Sequence, residues 1–338
     1  MGTPFLEVRN LQTHFTTFGG SRVVKAVDDI SFTLNEGETL GLVGESGCGK
    51  TTTCLSLVGL LPPAAQVVGG QILLAGEDLT KKSAREMRRI RGRQIAMILQ
   101  DPMASLNPLF NIYTQVSEPA YYHLGMRRGP LRRRVEELLR AVRIPSPAMR
   151  MRNYPHQMSG GMRQRIVGAI ALAGEPKLII ADEPTTNLDV TIQAQYLDLL
   201  KDIQQETGVA IIFVTHNLGI VAKMCDRMAV MYAGKIVECG SVRDLFGAPC
   251  HPYTKALLGS MAKLGSKEPL FAIPGQPPDL ADLPTGCAFH PRCCEAMQRC
   301  AEQEPETTQC GQNWTARCWL ANSEANPAES VRHDRARA

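Results

Sequence analysis

The sequence lacks an apolar run that approaches the roughly 20 residues a membrane-spanning helix needs. Its first residues lack the basic and apolar regions of a secretory signal, and Leu6 stands where N-myristoylation requires Ser or Thr. Lys and Arg outnumber Asp and Glu by only 37 to 33, which does not by itself indicate a nucleic-acid partner. We therefore expect an intracellular chain that neither spans a membrane nor binds nucleic acid.

With 338 residues, the chain is long enough for one large α/β domain and a smaller second one. Its eleven cysteines are distributed unevenly. Scattered ones are interpreted as small, buried or inert residues: Cys48, Cys54, Cys225, Cys239 and Cys250. The rest crowd into the last quarter, where a reducing compartment favours a metal site over disulfides: Cys287, Cys293, Cys294, Cys300, Cys310 and Cys318.

Residues 44–51, Gly-Glu-Ser-Gly-Cys-Gly-Lys-Thr, fit the phosphate-binding pattern G-x-x-x-x-G-K-[ST]. They follow an apolar, strand-like segment and precede a helix-like one, which is the context that this motif requires. Glycines let successive N–H groups turn towards phosphate oxygens, and the helix N-terminus favours negative charge there. We expect Lys50 to reach the β and γ phosphates and the Thr51 hydroxyl to bind Mg²⁺. The alternative is a Gly-rich turn without a ligand.

Polar residues also follow three other apolar, strand-like segments: Gln100, the pair Asp182 and Glu183, and His216. The carboxyl ends of parallel strands meet at one edge of an open α/β sheet, where ligands bind. There, Gln100 could bridge Mg²⁺ and the attacking water, Asp182 could bind Mg²⁺ through water, and Glu183 could polarise the attacking water. A solvated Gln, a capping acid pair and a structural His are the alternatives.

Residues 103–157 are predicted to be helical and are rich in Arg. Within residues 131–140, apolar side chains recur at helical spacing. Because glutamates interrupt the Arg run and aromatics are missing from it, a solvated helix face is favoured over a nucleic-acid patch. Ser159 and two glycines then begin another helix, which is a second potential anion site or simply a loop.

Taken in order, these motifs resemble the ATP-binding subunits of ABC transporters over residues 5 to 245. The resemblance implies an α/β, RecA-like ABC ATPase core with an antiparallel N-terminal β region and a helical subdomain at about 103–170. It implies ATP and Mg²⁺ as ligands, with Mg²⁺ held by Thr51, Gln100 and Asp182. The ATP-binding residues would be Phe15 as the adenine-stacking aromatic, Gly44, Ser46, Gly47, Cys48, Gly49, Lys50, Thr51 and Thr52. Phe15 could instead belong to the core.

The resemblance also implies a head-to-tail dimer in which each ATP lies between the phosphate loop of one subunit and the Ser-Gly-Gly helix start of the other. Glu183, His216 and Gln100 would be catalytic, with His216 contacting the γ-phosphate. The residues acting in trans would be Ser159, Gly160, Gly161 and Met162, with Asp189 in the adjoining D-loop. Met158 and Met162 replace Leu and Gln of the commonest Leu-Ser-Gly-Gly-Gln signature, and Asn217 stands where Asp is usual.

Three further segments, residues 100–108, 154–157 and 251–254, resemble the dipeptide/oligopeptide importer ATPases, as does the tail at 273–287. Related importers handle nickel and other solutes, so the cargo stays open. We expect an ABC ATPase domain over 1–245 and an importer-type extension over 246–338. The implied partners are a second ATPase subunit, identical or related, two membrane permeases and an extracytoplasmic solute-binding protein. The chain would be peripheral on the cytoplasmic side of the inner membrane.

The tail cysteines Cys287, Cys293, Cys300 and Cys318 resemble an iron–sulfur-binding extension of this subfamily. Four thiolates suit a [4Fe–4S] cluster or tetrahedral zinc, and free thiols are the third possibility. The spacing is wider than that of a zinc ribbon, which favours iron. Cys294 and Cys310 leave the choice of ligands open.

The sequence fits two other classes of protein less well. Soluble ABC ATPases of DNA repair need a long inserted coiled coil or zinc finger, and those of translation generally carry two ATPase units, neither of which this sequence contains. A regulatory nucleotide-binding module would not need Glu183 and His216, since it binds phosphate without cleaving it.

Overall fold

The computed structural model describes residues 4–20, 22–186, 188–261 and 272–322. The ends of the two expected domains, residues 1–3 and 323–338, lie outside the described residues, as does Ser21. The strands are β1 Leu6–Thr17, β2 Arg22–Leu34, β3 Thr39–Val43, β4 Ala65–Leu74, β5 Glu77–Asp78, β6 Ile95–Ile98, β7 Leu178–Asp182, β8 Ala210–Val214, β9 Arg227–Tyr232, β10 Lys235–Ser241, β11 Thr308–Gly311 and β12 Trp314–Ala316.

The helices alternate with these strands in the first two thirds of the chain. They are α1 Lys50–Val58, α2 Ala84–Ile90, α3 Pro102–Ser105, α4 Ile112–His123, α5 Arg128–Ala141, α6 Pro147–Arg150, α7 Gly160–Leu172, α8 Val190–Thr207, α9 Leu218–Met224, α10 Val242–Gly247, α11 Pro252–Gly259 and α12 Gln298–Glu302. No helix of the described residues is long and apolar enough to cross a membrane.

In the described residues the larger sheet has the order β11-β12-β10-β9-β3-β8-β7-β6. The strands from β9 to β6 are parallel to their neighbours, whereas β10, β12 and β11 pair antiparallel. Every residue of β3, β7 and β8 is buried, as expected for a parallel sheet covered on both faces. The carboxyl ends of β3, β6, β7 and β8 therefore lie along one edge, which confirms the predicted α/β core.

The N-terminal β region is a separate antiparallel sheet with the order β2-β1-β4-β5. Its buried face contributes Leu6, Leu11 and Ile30 to the same apolar cluster that contains Leu40 of β3 and Leu57 of α1. The helix α1 is thereby packed between the two sheets. This packing fixes the position of the phosphate loop that precedes α1.

Helices α3 to α7 form the predicted helical region between β6 and β7. Helix α5 buries Leu131, Val135, Leu138 and Leu139. Its Arg132 and Arg133 are exposed. The interpretation of this Arg run as the outer face of an amphipathic helix is therefore confirmed.

The described residues after 245, 246–261 and 272–322, pack against the α/β core. The hairpin β11–β12 extends the large sheet, with β12 pairing against β10 at Glu238 and Cys239. Tyr253 of α11 is fully buried, and its ring centroid lies 4.7 Å from that of Tyr232 and 5.3 Å from that of Phe289. Aromatic contacts and sheet pairing therefore both fasten this tail segment to the core.

Candidate active site

The phosphate loop joins the end of β3 to the start of α1, and its backbone requires glycine at two positions. Gly44 has a φ of 150° and Gly49 a φ of 106°. A Cβ at Gly44 would lie 2.2 Å from the Met231 carbonyl oxygen, and one at Gly49 would lie 2.2 Å from that of Ala26. Any side chain at either position would collide with backbone, so the loop conformation depends on these glycines.

Lys50 lies beneath the loop with 7% of its surface exposed. Its Nζ donates to the carbonyl oxygens of Gly44 and Glu45, both at 2.8 Å. Cys48 is buried beside it, and burial raises the pKa of the Cys48 thiol. The interpretation of Cys48 as a small, buried residue agrees with this burial. The ammonium group is held where phosphate oxygens above the loop can compete for it.

An open cleft of about 520 Å³ lies above this loop. It is lined by residues from four of the segments singled out in the sequence, together with Ala26. The lining residues are Ala26, Ser46, Gly47, Gly49, Lys50, Thr51, Thr52, Gln100, Glu183 and His216. The structure thus brings the phosphate loop and the polar residues after three strands to one place.

Asp182 ends β7 directly behind the cleft and is 4% exposed. Burial raises the pKa of its carboxyl group, an effect opposed by a hydrogen bond from the Thr51 hydroxyl and added to by the neighbouring Glu183. A buried carboxylate beside a hydroxyl provides the hard oxygen ligands that Mg²⁺ prefers. The donor set therefore fits this ion.

Glu183 follows Asp182 and directs its carboxylate into the cleft. Gln100 Nε2 donates to Oε2 at 3.1 Å, Thr186 Oγ1 donates to the same oxygen at 2.9 Å, and His216 Nδ1 lies 3.3 Å from Oε1. The Glu183 backbone has a φ of 46°, in the left-handed region that non-glycine residues seldom adopt. Such a conformation persists only where surrounding contacts hold it, as at functional sites.

The predicted signature residues lie at the N-terminus of α7 and do not line this cleft in the described part of the chain. Ser159 caps α7, with Oγ accepting from the Met162 N–H at 3.3 Å. A Cβ at Gly161 would lie 2.7 Å from Ile192 Cγ2, so α7 and α8 approach closely here. Asp189 caps α8 by accepting from the Ile192 N–H at 3.0 Å. The signature and the D-loop residue thus belong to one packed unit.

Other sequence-predicted residues lie elsewhere. Phe15 is half-buried on β1, opposite Val24 and Ala65, and is not among the described residues that line the cleft. Asn217, which stands where Asp is usual, caps α9 by accepting from the N–H groups of Gly219 and Ile220. The amide oxygen performs the capping that an aspartate would also perform.

The tail cysteines Cys287, Cys293, Cys300 and Cys318 are free thiols. Burial raises the pKa of Cys287, and it raises those of Cys293 and Cys318 to about 11. Neighbouring thiols add to each rise. Cys300 acts on Cys287, and Cys287 and Cys300 act on Cys318. Cys294, Cys318 and Cys287, in that order, act on Cys293. Within the described ranges, however, no three or more His, Cys, Asp or Glu side chains are arranged to hold a metal ion.

The sequence did not identify two residues that complete the site. Thr186 donates to Glu183, and no local pattern distinguishes it from other loop threonines. Glu45, a variable position of the phosphate-loop motif, is held by residues more than 200 positions away. A charged residue inside an otherwise small-residue loop was the only available signal for it.

Comparison with known proteins gives consistent matches. The family model described as ABC transporter matches residues 27–186, and the one described as oligopeptide/dipeptide transporter, C-terminal region, matches residues 237–300. The chain is similar to the Dipeptide transport ATP-binding protein DppD of Bacillus subtilis, with 50% identity over 96% of each chain. It is also similar to the Oligopeptide transport ATP-binding protein OppD of the same organism, with 48% identity over 98% of this chain and 93% of the relative.

Among solved structures, the chain is similar to a dimeric bacterial ABC transporter cassette. The TM-score is 0.63 and the sequence identity 25%, over 70% of this chain and 99% of the cassette. The shared fold therefore covers the ATPase core. The additional length of this chain includes the tail matched by the oligopeptide/dipeptide model.

Proposed function

Because this chain belongs to the ATP-binding subunits of ABC transporters, we propose that it hydrolyses ATP to power the import of di- or oligopeptides across the cytoplasmic membrane. The observation that most supports a peptide cargo is the match of residues 237–300 to the C-terminal region of oligopeptide/dipeptide transporters. We assign residues 1–245 to the ATPase and residues 246–338 to an importer-type extension. The cleft beside Glu183 supports hydrolysis rather than simple nucleotide binding.

In the proposed hydrolytic step, Glu183 accepts a proton from the water that attacks the γ-phosphate. Its carboxylate lies in the cleft and is oriented by Gln100 and Thr186 on one oxygen and by His216 on the other. A general base must be positioned before the reaction, and three contacts to one carboxylate provide that positioning. His216 is 63% exposed on its side chain, so its Nε2 can contact the γ-phosphate while Nδ1 keeps its contact with Glu183.

The residues proposed to bind phosphate line the cleft: Ser46, Gly47, Gly49, Lys50, Thr51 and Thr52. Thr51, Asp182 and Gln100 would hold Mg²⁺, which neutralises charge on the phosphates when it is bound. Gly44 and Cys48 support the loop from below. We keep Phe15 as the candidate for adenine stacking, at the side of the nucleotide remote from Glu183.

The signature residues Ser159, Gly160, Gly161 and Met162 are proposed to act on the ATP of a second subunit. They cap and begin α7 on a different surface from the cleft of their own chain. A head-to-tail dimer, with an identical or a related subunit, would bring this helix start to the partner's phosphates. Asp189, which caps the adjacent α8, would lie at the same interface.

Two permease subunits and an extracytoplasmic solute-binding protein complete the proposed importer. The segment after Gln100 supports a permease contact, because Met103, Leu109 and Phe110 are 55%, 80% and 51% exposed. Exposed apolar side chains grouped in one segment are typical of a protein–protein interface. The subunit would therefore sit peripherally on the cytoplasmic face of the inner membrane.

We also propose that Cys287, Cys293, Cys300 and Cys318 bind a metal centre, a [4Fe–4S] cluster in preference to zinc. Neighbouring thiols raise the pKa of Cys287, Cys293 and Cys318, which supports a shared site. Cys294 also raises the pKa of Cys293 but is exposed, and Cys310 lies on β11. Binding would require the thiols to deprotonate and to move closer together. Anaerobic purification should yield iron and acid-labile sulfide; stoichiometric zinc without sulfide, or no metal, would contradict the cluster.

Uptake of a labelled dipeptide tests the cargo. Cells of the source organism carrying the wild-type chain are compared with cells carrying Glu183→Gln. Loss of uptake in the variant supports a peptide importer, and longer peptides can then be surveyed. Unchanged peptide uptake despite a demonstrated ATPase defect would contradict the peptide cargo, and labelled nickel would be tested next.

A further inference from the structure

Glu45 lies within the phosphate loop, and each of its polar groups is engaged by another part of the protein. Its backbone N–H donates to Tyr253 Oη at 3.0 Å, and its carbonyl oxygen accepts from Lys50 at 2.8 Å. Its carboxylate accepts two hydrogen bonds from Arg292. Two of these three partners belong to the C-terminal tail, so the tail contacts the loop that binds phosphate.

Arg292 forms a two-pronged contact with that carboxylate. Nη1 lies 2.6 Å from Glu45 Oε2, and Nη2 lies 3.0 Å from Oε1. Its Nε donates to the carbonyl oxygen of Pro274 at 2.8 Å, and Nη1 also lies 3.3 Å from Tyr232 Oη. The Arg292 side chain is 5% exposed. A planar guanidinium matched to a carboxylate in this way fixes both distance and orientation, which lysine cannot do.

The platform that holds Arg292 is closely packed. Arg292 ends a short 3₁₀ helix, His290–Arg292, that lies between Cys287 and Cys293. Phe289, next to this helix, packs with its ring centroid 5.2 Å from that of Tyr232 and 5.3 Å from that of Tyr253. The packed tail therefore holds the backbone of Arg292 in place. The position of its guanidinium relative to the phosphate loop depends on that packing.

The negative charge of the Glu45 carboxylate makes its contact with Arg292 important for ATP binding. Glu45 places a carboxylate in a loop whose function is to attract phosphate, and an uncompensated negative charge there would repel the nucleotide. Arg292 neutralises that charge and also holds the backbone of Glu45 next to Gly44, whose carbonyl faces Lys50. Neutralisation and restraint both favour nucleotide binding.

We propose that Arg292 is a positioning residue for ATP: acting through Glu45, it sets the conformation and charge of the phosphate loop and couples nucleotide affinity to the C-terminal tail. The proposal uses the ATP site described above but does not depend on the cargo or on a metal in the tail. It predicts that tail residues, which are far from the phosphate loop in sequence, control how tightly this loop binds the phosphates of ATP.

The test measures the dissociation constant of a fluorescent ATP analogue with Mg²⁺ for full-length chains purified anaerobically. Arg292→Met should weaken binding at least about 10-fold, and Arg292→Lys should fall between it and wild type, because lysine keeps the charge but not the fork. The matched control is Arg317→Met. Arg317 also joins the tail to the core, donating to Asp29 Oδ2 at 2.8 Å, but it does not contact the phosphate loop. Its affinity should stay within about twofold of wild type.

A double-variant cycle separates positioning from general damage. If Arg292 acts through Glu45, adding Arg292→Met to Glu45→Gln should cause no more than about a twofold further loss of affinity. Additive losses would overturn the proposal, as would an Arg292→Met chain that binds like wild type or an Arg317→Met chain that loses as much affinity. Thermal unfolding of each variant, with and without nucleotide, identifies chains that fail to fold. If Arg292→Met does not fold, the dissociation constant of Arg292→Lys is compared with that of wild type instead, and equal values would overturn the proposal. Binding by wild type itself checks the ATP site.

Discussion

Trp314 donates its indole N–H to the carboxylate of Glu238, with 2.9 Å between Nε1 and Oε1. This contact joins the tail hairpin to β10 at the edge of the ATPase sheet. Glu238 is 1% exposed, and the same carboxylate accepts the backbone N–H groups of Cys250 at 2.7 Å and His251 at 3.0 Å. One buried acid therefore organises the beginning and the end of the tail.

Glu238→Ala should lower the free energy of unfolding by about 3–5 kcal/mol. The variant leaves one buried and two part-buried donors without their carboxylate acceptor, and such losses cost more than an average hydrogen bond. Urea denaturation followed by circular dichroism measures the change. Glu206→Ala on the exposed surface of α8 is the control and should change it by less than about 0.5 kcal/mol. A loss below about 1 kcal/mol in Glu238→Ala would contradict this account of the tail.

His251 should make the folded chain less stable in mild acid. Burial, with a smaller contribution from Lys255, lowers the pKa of His251 to about 3. The unfolded chain takes up the proton near pH 6.5, so the stability due to neutral His251 is complete above that pH and is lost as the pH falls towards 3. Between pH 7.5 and 5.5 the expected loss is about 1.4 kcal/mol.

The matched variant for this prediction is His251→Asn. Asparagine keeps an acceptor for the Tyr253 N–H, which His251 Nδ1 accepts at 3.0 Å, but it does not titrate. Unfolding free energies of both chains are measured at the two pH values, with Glu238 and Lys255 unchanged. The wild type should lose about 1.4 kcal/mol more than the variant. Equal pH dependence would show that His251 is not the group responsible.

Gly161→Ala should disturb the packing of α7 against α8. The new Cβ would lie 2.7 Å from Ile192 Cγ2, and overpacking of this kind costs about 1–3 kcal/mol. Gly160→Ala is the control in the same helix turn, because no atom lies within 4 Å of its added Cβ. It should keep the stability of the fold, while ATP turnover of the dimer falls if Gly160 faces the partner's phosphates. Equal stability of the two variants would contradict the packing argument.

The sequence was sufficient for the part of the site that depends on strand order. Parallel strands present their carboxyl ends at one edge, so Gln100, Glu183 and His216 could be expected to meet once their strands were recognised. The glycine pattern likewise predicted a tightly turned loop, and the structure adds that side chains at Gly44 and Gly49 would collide with backbone. These features follow from local patterns repeated along the chain.

The tail could not be placed in this way. Strand β12 has only three residues, Trp314–Ala316, and its pairing with β10 joins positions about 77 residues apart, for which no local periodicity is informative. The Arg292–Glu45 pair joins residues 247 positions apart. Each partner taken alone resembles a solvated surface charge. Only the tertiary structure reveals that their side chains face each other.

The central claim is that Glu183 activates water in an ATP-hydrolysing cleft, and ATP turnover of Glu183→Gln tests it most directly. The amide preserves size and hydrogen bonding but cannot accept the proton, so hydrolysis should slow by about 10²-fold or more while ATP binding is retained. Glu206→Gln, an exposed control on α8, should leave turnover unchanged. Turnover of Glu183→Gln near the wild-type rate, with binding intact, would contradict the account and remove Glu183 from the mechanism.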